Sequence, residues 1–178
     1  SSSVEHSEKC EYAKKRKLVH DLDVAREIQR GILPQGAPAS EGFDIAGWNR
    51  PADQTGGDAY DFIALDDGRL AIIAGDATGH GIGPALVAVE CRAAIRALAQ
   101  SRPDLTHILA TTNSLLSRDL SSGNRFVTLC MAILEIPTAT LTVASAGHGP
   151  LLFYRAATDT FQELEISGPP LGLFDGMA

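Results

Sequence analysis

The sequence is short of cysteine, of long apolar runs and of positive charge. Its three cysteines are odd in number and widely spaced, with no Cys-x-x-Cys pair, which excludes a disulfide framework and indicates a reduced, cytoplasmic setting. No apolar run approaches the length of a membrane span, and the N-terminus lacks the apolar core of a signal peptide. Lysine and arginine number 15 against 22 aspartates and glutamates, and the net charge of −7 argues against nucleic acid as a partner.

What the chain does contain is enough apolar sequence for one core. Its 178 residues, 44% hydrophobic and 21% charged, are typical of a globular domain. We divide it into an N-terminal amphipathic linker helix, residues 1–33, and a domain over residues 34–178. The helix is predicted to end before Pro34, and its apolar stripe, spaced by three and four, consists of Leu18, Leu22, Ala25, Ile28 and Ile32.

Two acidic positions flank a predicted hairpin. The segments FIAL and RLAIIAG, separated by Asp66-Asp67-Gly68, predict two antiparallel strands joined by a tight turn. Such a pair would bring Asp58, at the start of the first strand, close to Asp76, at the end of the second. Two carboxylates at one end of a hairpin repel unless a cation lies between them, and oxygen-only ligands favour magnesium or manganese.

Glycines surround both carboxylates. Gly57 precedes Asp58, whereas Gly79 and Gly81 follow Asp76, and glycine lets the main chain approach an ion or a phosphate closely. An alanine-rich helix is predicted directly after these glycines, and a helix N-terminus stabilises anions. No Gly-Lys-Ser/Thr follows the glycines, which excludes a nucleotide P-loop.

The order of the predicted elements indicates an α+β fold. A strand over residues 43–52 and the hairpin come first, and two helices over residues 84–100 and 105–120 follow. The remaining strands are predicted to form an antiparallel meander that ends at residue 166. Strands, a helix pair and further strands together predict two antiparallel sheets packed face to face, with helices outside.

Five motifs in sequence order resemble a known family. They are AREIQRGILP at residues 25–34, GGDAYDF with GDATGHGI, RFVTLCMAILEI, LTVASAGHGPLLFYR, and GPPLGLF. The combination resembles the SpoIIE-like (RsbU-type) branch of the metal-dependent protein serine/threonine phosphatases, in the PPM (type 2C) superfamily. The resemblance implies an αββα sandwich and a phosphoric monoester hydrolase. It also implies a helix that joins an upstream sensor domain and often dimerises, whereas the stripe alone is equally compatible with packing on this domain's own core.

The resemblance further implies an active site with two divalent ions, Mn²⁺ or Mg²⁺, which activate a water and neutralise the charge of phosphoryl transfer. The implied ligands are Asp76 as the bridge, Asp58, the backbone carbonyl of Ala77 and, as a weaker candidate, Asp61. The residues implied to shape the site without contacting metal are Gly57, Gly79, His80 and Gly81. His148, between two glycines, is either a metal ligand or general acid, or a structural turn residue.

The implied substrate is a phosphoserine or phosphothreonine on an anti-sigma-factor antagonist of the STAS type, in bacterial sigma-factor signalling. The family continues past PLGLF with strands that carry further metal-binding aspartates, and this sequence has none of them. The resemblance therefore implies a C-terminally truncated domain that lacks the final strands. A second hypothesis follows, a catalytically incomplete regulatory module that binds a phosphoprotein partner.

Overall fold

The computed structural model describes residues 2–51, 53–120, 125–165 and 168–176, which form three helices and six strands. The helices are α1 (Ser2–Ile32), α2 (Ile82–Ser101) and α3 (Leu105–Asp119). The strands are β1 (Asp58–Ala64), β2 (Leu70–Ala77), β3 (Val127–Glu135), β4 (Thr140–Ala146), β5 (Leu151–Arg155) and β6 (Thr160–Leu164). No helix in the described ranges is both long and apolar enough to cross a membrane.

A four-stranded antiparallel sheet in the order β1-β2-β3-β4 forms the centre of the domain, and α2 and α3 lie between β2 and β3 in the chain. Successive residues of a strand point to opposite faces of the sheet. Most odd-numbered positions of β1, β2 and β3 are buried in the core together with apolar residues of α2 and α3, as Ile63, Ile73 and Met131 exemplify. The even-numbered positions occupy the opposite face, which we call the open face.

A second, two-stranded antiparallel sheet is formed by β5 and β6, and its side chains are largely exposed. The predicted α+β class, with two antiparallel sheets and flanking helices, is confirmed. The predicted meander is found only in part, because β3 pairs with β4 and β5 with β6, whereas β4 and β5 belong to different sheets; β6 ends at Leu164. Residue 166, where the last strand was predicted to end, lies outside the described residues.

The strand predicted over residues 43–52 is wrong. Residues 44–51 form no strand, and this segment contributes only an isolated bridge between Ser40 and Phe43 (residue 52 lies outside the described residues). The alternation that suggested a strand is short and is interrupted by Gly47. A Cβ at Gly47 would lie 2.6 Å from the Tyr60 ring. The segment therefore passes over the open face as irregular chain rather than pairing at a sheet edge.

Helix α1 is longer than its apolar stripe; residues 7–20 are exposed, and contacts with the domain lie near its C-terminal end. Leu22, Ala25 and Ile32 are half-buried, whereas Leu18 and Ile28 are exposed. Gln29 is buried, donating from Nε2 to the Gly56 carbonyl at 2.6 Å and accepting from the Gly56 N–H at 3.2 Å. This two-way hydrogen bond joins the helix to the loop that enters β1. The division into a linker helix and a domain stays a prediction.

A buried ion cluster joins β1 to α2. Asp61 occupies an odd, core-facing position of β1 and is fully buried. Its Oδ2 lies 2.9 Å from Arg92 Nη2 and 3.1 Å from Arg96 Nε. A buried carboxylate is tolerated when it is paired and hydrogen-bonded, and both conditions hold here. The cluster therefore fixes the position of α2 along β1, the strand that begins at Asp58.

We expect Asp61→Asn to destabilise the domain by about 3 kcal/mol, because it leaves two arginines beside the core without their counter-charge. Urea unfolding would measure the loss as a lower midpoint at an unchanged slope. The matched control is Asp66→Asn at the exposed hairpin turn, which should change the free energy of unfolding by less than about 0.5 kcal/mol. Equal stability of the two variants would show that the ion cluster does not hold the helix.

Candidate metal-binding active site

The hairpin brings the two predicted carboxylates together. In the register of β1 and β2, Asp58 is directly opposite Asp76, and both are exposed on the open face. Side chains at directly opposite positions share a face, with Cβ atoms about 5 Å apart. Partial burial, with repulsion from the neighbouring Asp58 as a second cause, raises the pKa of Asp76. The pair is thus a concentration of negative charge that a cation would relieve.

Gly57 is required here by close packing. A Cβ at this position would collide with the Ala77 carbonyl oxygen and would lie 2.8 Å from Asp76 Oδ1. The Ala77 N–H also donates to the Gly57 carbonyl at 3.0 Å, which closes the end of the hairpin. The Ala77 carbonyl and an Asp76 oxygen therefore lie against the same small gap. This proximity suits the expectation that both oxygens bind one cation.

The loop after β2 turns into α2 through two glycines. Gly79 and Gly81 have φ angles of +101° and +83°, in the left-handed region that favours glycine, and Gly81 is the N-cap of α2. His80 between them is 91% exposed, and its Nδ1 lies 3.4 Å from Asp53 Oδ2. The contact links this loop to the chain that leads into β1. It accords with an organising role for His80 rather than a metal ligand.

Asp61 is not brought to this pair. It differs from Asp58 by an odd number of residues, so its side chain lies on the helix-covered face of the sheet, where Arg92 and Arg96 occupy its carboxylate. The weaker expectation that Asp61 is a metal ligand is therefore corrected. The acidic motif GGDAYD places its two aspartates on opposite faces, one toward the site and one toward the core.

Sequence reasoning missed several neighbours of the pair. Asn49 Nδ2 donates to the Asp58 carbonyl at 3.2 Å, and Thr128 is directly opposite Asp76 on β3. A cavity of about 260 Å³ borders Asp58, and its polar lining includes Asn49, Arg50, Tyr60 and His148 as well. Thr128 was detectable in principle as an even-numbered polar position of β3. The loop residues were not, because their segment was taken for a strand.

The donors present fit one hard divalent ion. Within the described residues, no group of three or more histidine, cysteine or acidic side chains gathers around a common point. Mg²⁺ is commonly held by one or two carboxylates, with water and phosphate oxygens completing its shell. Asp58, Asp76 and the Ala77 carbonyl meet that requirement. The arrangement of two ions stays a prediction.

The fold is that of the PP2C phosphatase domains, as the resemblance implied. The SiaA-PP2C domain of Pseudomonas aeruginosa superposes with a TM-score of 0.71 at 25% identity, covering 92% of this chain and 66% of that one. The RsbU and RsbW domains of a Mycobacterium tuberculosis protein give a TM-score of 0.59 at 28% identity, covering 68% and 33%.

The family follows from the sequence match. The model of the Stage II sporulation protein E (SpoIIE) family matches residues 66–178, more than half of the chain. The chain belongs to the SpoIIE family. The phosphoserine phosphatase RsbU of Bacillus subtilis (strain 168) is 28% identical over 158 residues, which are 89% of this chain and 47% of RsbU. The chain thus spans about half the length of this curated relative.

We expect Asp76→Asn to stabilise the metal-free protein at neutral pH, by less than about 1 kcal/mol because the site is partly solvated. The pKa of Asp76 is raised in the folded state. Folded stability therefore falls as pH rises from the ordinary carboxyl range through the raised pKa, and asparagine removes this loss. Urea unfolding at acidic and neutral pH measures it, with Asp66→Asn as the control. A metal-free variant less stable than the wild type at neutral pH would contradict the prediction.

Proposed function

We propose that this chain is a metal-dependent phosphoprotein phosphatase domain that hydrolyses phosphoserine or phosphothreonine. The observation that carries the proposal is the Asp58–Asp76 pair, opposite in register and exposed on one face. Membership of the SpoIIE family and the similarity to RsbU, a phosphoserine phosphatase, support the same activity. The competing hypothesis of a regulatory module without catalysis is one outcome of the activity test below.

Some residues of the site bind the cation, and others keep the site accessible to the phosphate. Divalent ions, when bound, supply an activated water and neutralise phosphoryl charge. Asp58 and Asp76 would hold the cation, with the Ala77 carbonyl as a neutral ligand. Gly57 keeps the space between these oxygens free of side chains. Arg50 adds a positive charge to the adjacent cavity, where an anionic phosphate has to enter.

We infer that the substrate is a phosphorylated protein rather than a small metabolite. The site is an exposed sheet end beside a shallow cavity, which a side chain projecting from another protein can reach. The net charge of −7 gives no long-range attraction for phosphate, so a local cation has to supply it. The resemblance of the five motifs to the SpoIIE-like branch favours, as this substrate, an anti-sigma-factor antagonist of the STAS type in the cytoplasm. Mn²⁺ and Mg²⁺ both suit oxygen ligands.

We also infer that α1 forms a homodimer and receives a signal from an upstream sensor domain. Its N-terminal half extends beyond the contacts with the domain, and residues 7–20 are exposed throughout. Leu18 continues the stripe of Leu22 and Ala25 but is 60% exposed. A second copy of the helix would cover this continuation of the stripe.

We expect Mn²⁺-dependent hydrolysis of p-nitrophenyl phosphate and of a phosphoserine protein by the whole gene product. Asp58→Asn and Asp76→Asn should each lower kcat/KM by about 100-fold or more, because each removes charge that holds the cation at the reacting phosphate. Asp67→Asn in the hairpin turn is the control and should match the wild type. Activity indifferent to Asp76 would refute the site, and an inert wild type would favour the regulatory module.

We expect sedimentation equilibrium to give a dimer mass for the intact chain and a monomer mass for a chain without residues 1–33. Leu18→Glu should produce the same loss of dimer without unfolding the domain, because this side chain is exposed in one copy. Lys14→Glu, also exposed on α1, changes charge without removing apolar surface and serves as the control. An unchanged mass after removal of the helix would exclude the dimer.

A further inference from the structure

His148 is held more firmly than a turn residue needs to be. It follows β4 directly after Gly147, and its main chain is fixed by one side chain. Ser145 Oγ donates to the His148 carbonyl at 2.7 Å and accepts from the His148 N–H at 3.1 Å. A Cβ on Gly147 would lie 2.8 Å from Pro170 Cγ, so this turn is also closely packed from outside. The imidazole is therefore presented from a fixed backbone.

The fixed imidazole completes a row of polar side chains across the open face. Asp58, Asp76 and Thr128 are successive partners in register on β1, β2 and β3. Thr128 Oγ1 lies 3.0 Å from His148 Nδ1. His148 also lines the cavity of about 260 Å³ that Asp58 borders. The row thus runs from two carboxylates through a hydroxyl to an imidazole, at the edge of one cavity.

The hydrogen bonds of Thr128 limit the tautomer of His148 to two arrangements. Its hydroxyl has two acceptors within reach, His148 Nδ1 at 3.0 Å and the Asp76 carbonyl at 3.4 Å. We assign the hydroxyl proton to the shorter of these two contacts, which makes Nδ1 the acceptor and leaves the proton of the neutral ring on Nε2. In the alternative arrangement the ring donates from Nδ1 to Thr128, and the hydroxyl donates to the Asp76 carbonyl. Among the described residues, Nε2 has no hydrogen-bond partner, so this N–H is available to a ligand.

We propose that His148 is a further catalytic residue, which donates an Nε2–H hydrogen bond to the phosphoryl group beside Asp58 and Asp76. The proposal rests on the proposed phosphatase function. Carboxylates only accept hydrogen bonds, so the row needs a donor to bind phosphoryl oxygens. A donor oriented before the reaction stabilises the charge on those oxygens in the transition state. Thr128 is a positioning residue, since it acts through the ring.

The kinetic test uses the whole gene product with saturating Mn²⁺ and p-nitrophenyl phosphate as the probe. His148→Ala should lower kcat/KM by about 100-fold, the usual loss for one oriented donor. Thr128→Val should give a smaller loss, and Thr128→Ser, which keeps the hydroxyl, should approach the wild type. Thr142→Val, an exposed threonine of β4, is the matched control. Wild-type kcat/KM in His148→Ala would overturn the proposal.

Two measurements independent of turnover complete the test. Mn²⁺ affinity by calorimetry should be unchanged in His148→Ala, and a weakened affinity with activity restored by excess Mn²⁺ would make His148 a metal ligand instead. In the metal-free protein, long-range ¹H–¹⁵N correlation should show the Nε2–H tautomer of His148 in the wild type and its loss in Thr128→Val. An Nδ1–H tautomer in the wild type would overturn the proposal.

Failure of the inference and failure of the proposed function give different results. A wild type without Mn²⁺-dependent hydrolysis would overturn the phosphatase function and the role of His148 with it. A wild type that depends on Mn²⁺ and on Asp76, beside an equally active His148→Ala, would overturn the role of His148 alone.

Discussion

Repulsion between two aspartates in facing positions of a hairpin is the constraint on which the rest of this domain depends. Asp58 and Asp76 face each other across β1 and β2, and partial burial together with this neighbour raises the pKa of Asp76. Without a cation the arrangement costs stability, so the surrounding structure has to hold it. The hydrogen bond between Ala77 and Gly57, and the absence of a side chain at Gly57, keep the end of the hairpin closed.

The supports of this pair come from both faces of the main sheet. On the helix-covered face, Asp61 binds Arg92 and Arg96 and so fixes β1 against α2. At the entry to β1, Gln29 holds Gly56 through two hydrogen bonds and connects α1 to the same loop. The repulsion between the two carboxylates is thus offset by the buried ion pairs of Asp61 and by the hydrogen bonds of buried Gln29. A site that carries unfavourable charge for function is expected to depend on such neighbours.

Local patterning predicted the elements well where propensity and tertiary contacts agree. The hairpin turn Asp66-Asp67-Gly68, the two helices and the two hairpins β3-β4 and β5-β6 follow from periods of two and 3.6 and from turn residues, whereas the separation of β4 from β5 into two sheets does not. The segment over residues 44–51 was wrongly predicted, because short alternation does not reveal whether a neighbouring strand exists to pair with. Asp61 was ambiguous for another reason, since strand parity decides its face and parity depends on where β1 begins.

The sequence by itself determined most of the chain's secondary structure, its α+β class and the convergence of Asp58 with Asp76, because all three depend on contacts between near neighbours in the chain. Only the tertiary structure decided which face of the sheet each aspartate occupies and that Thr128 lies opposite Asp76. It also decided that the turn after β4 places His148 beside Thr128, at the cavity that Asp58 borders. The two side-chain contacts of Thr128, with His148 and with the Asp76 carbonyl, join residues 20 and 52 positions apart. The periodicity of apolar residues in the sequence does not predict contacts over such separations, because these contacts form only when the strands pair.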